Sequence, residues 1–143
     1  MSMKIEFEIN DSEAYILVPA LQQAASQALD VKTFEVLQKV TREILEDIQN
    51  GVYIFQQLIN YLHPYTNGNS ILKSSKLILN LGISQNFINS SQGLYYVLSY
   101  ILGVLVATRK PGKNPSRIAM TEIVKLTTVE DCINLIQDHY EKS

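Results

Sequence analysis

Few side chains in this chain are of types that do chemistry, and their spacing says more than their number. The histidines are His63 and His139, far apart in sequence, and Cys132 is the sole cysteine. A zinc site needs paired Cys and His at short spacing, and that pattern is absent from the sequence. Cys132 falls beside Ile133 on the apolar stripe of a C-terminal helix, where a thiol is inert packing. His139, near the end of the same helix, is accounted for by the negative end of the helix dipole. The six glycines are scattered and none opens a phosphate-cradling loop. Ser74-Ser75 and Ser90-Ser91 fall in helix or cap positions. The residues therefore predict no catalytic group, no metal and no cofactor.

One stretch departs from this plainness: Leu62-His63-Pro64-Tyr65-Thr66-Asn67-Gly68-Asn69-Ser70. It resembles the loop of Fic-fold AMP-transferases, in which a histidine precedes an acid, a Gly-Asn pair, a small or basic residue and an arginine. The resemblance implies a general base at His63 and an anion-binding turn at Gly68-Asn69. Asn67 stands where that family has its metal-holding acid, Ser70 where it has the small or basic residue, and Ile71 where it has the arginine. Without that arginine the bidentate grip on phosphate is missing. Turn and cap chemistry explains the same letters: Asn-Gly makes a turn, Ser70 caps a following helix and His63-Pro64 closes the preceding one.

Groups suited to binding are more plentiful. Glu43, Glu46 and Asp47 form one acidic helix face, backed by Glu35 about two turns earlier. There are eight tyrosines and no tryptophan, and tyrosine joins apolar area to a hydrogen-bonding tip favoured at interfaces. Glu35, Glu43, Glu46, Asp47, Tyr53, Tyr61 and Tyr65 are accordingly the predicted partner-binding residues. A net charge of −2 and an isoelectric point near 5.6 argue against a general nucleic-acid binder, which needs clustered cations. The nearest approach to a basic patch, Arg109, Lys110, Lys113 and Arg117, is broken by Pro111, Gly112 and Pro115 and reads as a solvated loop.

The elements that must position these groups follow from periodicity. Lys4 to Ile9 alternates with a two-residue period, Asn10-Asp11-Ser12 supplies a turn, and Ala14 to Val18 is apolar and partly β-branched, which together predict a β-hairpin over 1–18. A helix then starts at Pro19 and runs to about Leu29. Asp30 caps a second, ended by Asn50-Gly51. A third carries Phe55, Leu58, Ile59 and Leu62, and a fourth runs from Ser70 to Leu81, stopping at Gly82. Leu94 to Ala107 is uncharged throughout. A bilayer span needs about 20 apolar residues and a run of about 10–14 is more often a buried helix, so this is expected to be the core helix, apolar on nearly every face. Ile118 to Leu126 fits neither period, leaving strand or helix open. Thr127 with Glu130, or Thr128 with Asp131, opens the last helix as a capping box. The sum is a mainly α chain: one domain over 1–143, a hairpin and then a bundle of about five to six helices.

At 143 residues, 46% hydrophobic and 18% charged, the chain can bury one core. One cysteine and an acidic N-terminus without an apolar run predict a cytoplasmic protein with no secretory signal. In kind, being compact, mildly acidic, helical and motif-poor, it resembles the immunity proteins of contact-dependent growth-inhibition systems. That resemblance implies a non-catalytic monomer or homodimer that covers a basic toxin domain, a nuclease above all, with no direct nucleic-acid contact and no membrane span. The alternatives are a degenerate Fic-like or other small enzyme, and a helical adaptor or secretion chaperone.

Overall fold

The computed structural model describes Ile9 and residues 11–143, which fall into two compact units, one ending at Gln49 and the other running from Asn50 to Ser143. Among the described residues the regular elements are six α-helices, a 3-10 turn at His63–Tyr65 and an isolated antiparallel bridge between Lys76 and Thr128. The chain is mainly α. The first arm of the expected hairpin, from Lys4, lies outside the described residues.

In the first unit α1 spans Asp11–Ser26. Ala14 and Val18 are buried, whereas Ile16 between them is 76% exposed. A strand would set all three on one face; a 3.6-residue period separates Ile16 from the other two. The expected second arm of the hairpin is therefore helix, and the helix expected from Pro19 already begins at Asp11. Pro19 lies inside it, exposed. Its ring removes the bond to the Tyr15 carbonyl, a cost of about 3 kcal/mol in a helix interior. The next helix, α2, spans Val31–Leu62. Asp30 caps it as expected: its carboxylate accepts from Thr33 N at 2.7 Å and Thr33 Oγ1 at 2.9 Å. These bonds favour the charged form and hold the Asp30 carboxyl below its ordinary value.

The break expected at Asn50-Gly51 does not occur, because α2 runs through it as one 32-residue helix. Asn50 is buried, and a Cβ on Gly51 would lie 3.2 Å from Gln137 Nε2. Packing against the C-terminal helix outweighs the roughly 1 kcal/mol by which glycine disfavours a helix.

In the second unit the last turns of α2 bury Ile54, Leu58 and Leu62 on one stripe. The short α3 (Gln85–Asn89) is capped by Ser84, whose hydroxyl accepts from Phe87 N at 3.2 Å. It meets α4 (Leu94–Arg109) at Gly93, where a Cβ would come 2.0 Å from the Phe87 carbonyl oxygen. Only glycine allows that approach. α4 buries Leu94, Val97, Leu98, Ile101, Leu102, Leu105 and Val106 and packs on α3, on the one-turn α5 (Met120–Ile123) and on α6 (Val129–Lys142). The ambiguous Ile118–Leu126 thus contains a helical turn. α6 opens with the Thr128–Asp131 box: Asp131 N donates to Thr128 Oγ1 and Thr128 N to Asp131 Oδ2, both at 3.1 Å.

The helix expected over 70–81 is absent; those residues form turns. Their backbone is engaged elsewhere, with Leu77 N donating to Thr127 O, Val129 N to Ser75 O and Glu130 N to Lys73 O. Ser75 Oγ accepts from Leu72 N and Asn80 Oδ1 from Lys76 N. Side chains that compete for local backbone groups here displace the helical ladder.

Candidate functional site

The expected partner-binding residues divide between the units. Glu35, Glu43, Glu46 and Asp47 are all exposed on the part of α2 that belongs to the first unit. Lys39 lies four residues from both Glu35 and Glu43, so the acidic face is interleaved with opposite charge. Also in the first unit is a cleft of about 510 Å³ lined by Gln22 and Ala25 of α1 and Phe34, Gln38, Thr41, Arg42 and Leu45 of α2.

The three tyrosines lie in the second unit: Tyr53 is half-buried against the core, Tyr65 meets Phe87 of α3 and Tyr61 meets a tyrosine of α4. Tyr96 and Tyr100, four residues apart, share the helix face turned away from its buried leucines. The Tyr61 ring meets Tyr100 edge-on, with centroids 5.6 Å apart and planes at 71°, and Tyr100 stacks along Tyr96 at 6.3 Å. Edge-to-face and offset geometries suit the ring quadrupoles. All three rings stay open to solvent, Tyr61 38%, Tyr100 47% and Tyr96 58% exposed. Removal from water, then a hydrogen bond with Tyr100, then the nearby Tyr100, Tyr53 and Tyr96 phenols push the Tyr61 hydroxyl above its ordinary value. Gly103, less than a turn beyond Tyr100, leaves a notch, since a Cβ there would meet nothing within 4 Å. Tyr65 packs on Phe87 with centroids 4.3 Å apart.

The surroundings carry little charge. From Ile48 to Thr108 there is no Asp or Glu, and the charged residues are Lys73 and Lys76. α4 was expected to be buried on nearly every face; it is buried on one and presents tyrosines on the other. Sequence reasoning therefore passed over Tyr96 and Tyr100 as site residues, although their four-residue spacing, out of phase with Leu94, Leu98 and Leu105, carried the signal.

A second cluster joins residues from three places in the second unit. His139 is buried; its Nδ1 lies 2.8 Å from Ser116 Oγ and its Nε2 3.0 Å from Glu122 Oε2. Glu122 also accepts from Ala119 N at 3.0 Å. That backbone bond first, and His139 second, hold its carboxyl below the ordinary value. Ser116 N donates to Ser143 Oγ at 2.8 Å, and Lys110 Nζ donates to the Tyr140 carbonyl at 2.7 Å while lying 4.3 Å from the Tyr140 ring centre. His139 was expected to answer the helix dipole; its ring has two specific partners instead. No local motif announces Ser116 and Glu122, because only the chain's return brings them to α6.

The remaining groups do less. His63 is exposed, and its carbonyl accepts from Thr66 N and Oγ1. Asn67 and Gly68 turn through φ of 53° and 82°, so the Fic-like stretch is a left-handed turn leading into further turns rather than into a helix N-terminus. Cys132 is fully buried, which pushes its thiol up to about 12. Among the described residues no group of three or more His, Cys, Asp and Glu is placed to hold a metal ion, and no helix is long and apolar enough to cross a membrane. No protein-family model, curated protein or solved structure matches this chain.

Proposed function

We propose that this protein is a binding module, an immunity-type protein that neutralises a cognate bacterial toxin, with a nuclease domain as the target class. The observation that carries the reading is the Tyr61–Tyr100–Tyr96 surface, three large side chains joined through Tyr100 yet open to solvent. Rigid aromatic anchors of this kind supply much of the affinity at protein interfaces. The exposed Glu35, Glu43, Glu46 and Asp47 support a basic partner, since complementary charge governs encounter more than residence.

The test begins with recovery of the stoichiometric partner from the native host with tagged protein, at low and high salt. The purified pair is then followed by surface plasmon resonance. Tyr100→Ala or Tyr61→Ala raises the dissociation rate tenfold or more, equivalent to about 1.4 kcal/mol or above. Glu43→Gln with Glu46→Gln slows association and flattens its salt dependence. Failure to recover a partner, or dissociation unchanged in both tyrosine variants, overturns the reading.

A further inference from the structure

The string Ser116–His139–Glu122 has the order of an activated hydroxyl, a base and an orienting carboxylate. A carboxylate only accepts hydrogen bonds, so Glu122 on Nε2 fixes the tautomer that carries its proton there. Nδ1 then presents its lone pair to Ser116 Oγ at 2.8 Å, within the range for proton transfer. The His139 side chain is 5% exposed, which shields the base from solvent, while Ser116 is half-buried. The ring is held between an acceptor-only carboxylate and a hydroxyl. The loop that carries the serine is cationic. Arg109, Lys113 and Arg117 are exposed, and there is no acid between Asp47 and Glu122.

We propose that Ser116 is a reactive nucleophile, deprotonated by His139 with Glu122 as the positioning residue, and that it takes acyl groups from carboxylic esters bearing a negative charge. In the first step Ser116 Oγ bonds to the ester carbonyl carbon and its proton passes to His139 Nδ1. The C–O bond to the leaving alcohol breaks, and that oxygen takes the proton from Nδ1. Water then attacks the acyl serine, giving a proton to Nδ1 that returns to Ser116 Oγ as the acid leaves. This capacity is independent of the tyrosine surface, so either reading stands if the other fails.

The experiment uses the full chain and a fluorophosphonate probe, followed by peptide mapping, with 4-nitrophenyl acetate and its hemisuccinate analogue as substrates. In labelling, a P–O bond forms to Ser116, the P–F bond breaks, and fluoride and the serine proton leave to solvent. Wild-type protein is labelled at Ser116 and Ser116→Ala is not, while far-UV circular dichroism shows both folded. The hemisuccinate ester is turned over faster than the acetate. Glu122→Gln offers an amide N–H to Nε2 and favours the opposite tautomer, slowing labelling by about 10²–10⁴-fold and abolishing its sigmoid pH profile; a merely structural carboxylate would leave that profile in place. Labelling absent from folded wild-type protein, placed on another residue, or equal in Ser116→Ala overturns the proposal.

Discussion

Replacing Glu122 by alanine takes the acceptor from one donor that has no ready substitute and from another that has. The first is His139 Nε2–H, on a side chain 5% exposed; the second is Ala119 N–H, at the start of α5. An unsatisfied buried donor costs about 1–3 kcal/mol, and a lost helix cap about 1 kcal/mol. The Glu122 side chain is 36% exposed, so water reaches part of the vacated space, and the sum falls to about 1.5–3 kcal/mol. For a chain of this length that lowers the melting temperature by roughly 5–12 °C. The loss also depends on pH. Because the folded carboxyl titrates below its ordinary 4.5, the unfolded chain takes up this proton first as the solution is acidified. The stabilisation is therefore complete above 4.5 and is lost as pH falls through the lower folded value. Asp30 and Asp131 are shifted in the same sense, but they are common to both proteins and cancel in the difference. Urea unfolding followed by far-UV circular dichroism, at about pH 7 and about pH 3, gives that difference directly. A destabilisation under about 0.5 kcal/mol at neutral pH, or one of equal size in acid, would refute the pairing.

Three other substitutions or modifications test the packing. Gly93→Ala forces a Cβ to within 2.0 Å of the Phe87 carbonyl oxygen and is expected to cost about 3 kcal/mol; a unchanged melting temperature would place α3 farther from α4 than described. Among the described residues neither amide atom of the buried Asn50 has a hydrogen-bond partner. Asn50→Leu should raise stability by about 1–2 kcal/mol, and a loss in the urea midpoint would show that the amide is satisfied after all. With its thiol pushed up to about 12 by burial, Cys132 should resist Ellman's reagent until urea unfolds the chain; reaction in native buffer at the rate of free cysteine would contradict its place in the core.

Much of the helical framework was legible because it rests on local chemistry. Asp30 and Thr128 have side chains of the right length to take the free N–H groups of the helices they precede, and both do so. Val129, Cys132, Ile133, Ile136 and Tyr140 share a stripe that needed only the 3.6-residue period to be read. The errors fall where a local signal was outweighed by a distant one. Asn50-Gly51 carries a strong stop signal, yet packing beside Gln137 keeps the helix running. Ser70 to Leu81 carries helical spacing, yet its backbone bonds to residues 127–130.

The functional groups divide in the same way. That acids gather at Glu43, Glu46 and Asp47, and that no acid follows until Glu122, is fixed by the order of residues alone. So is the abundance of tyrosine. Which tyrosines meet is not, because Tyr61 and Tyr100 belong to different helices and only packing sets their rings 5.6 Å apart. The same holds for Ser116, Glu122 and His139, whose contacts within 3.1 Å close over long stretches of chain. Local sequence determines helix starts and buried stripes because caps and periodicity act over a few residues. Tertiary structure alone decides which polar groups converge, because that depends on how the helices return upon one another.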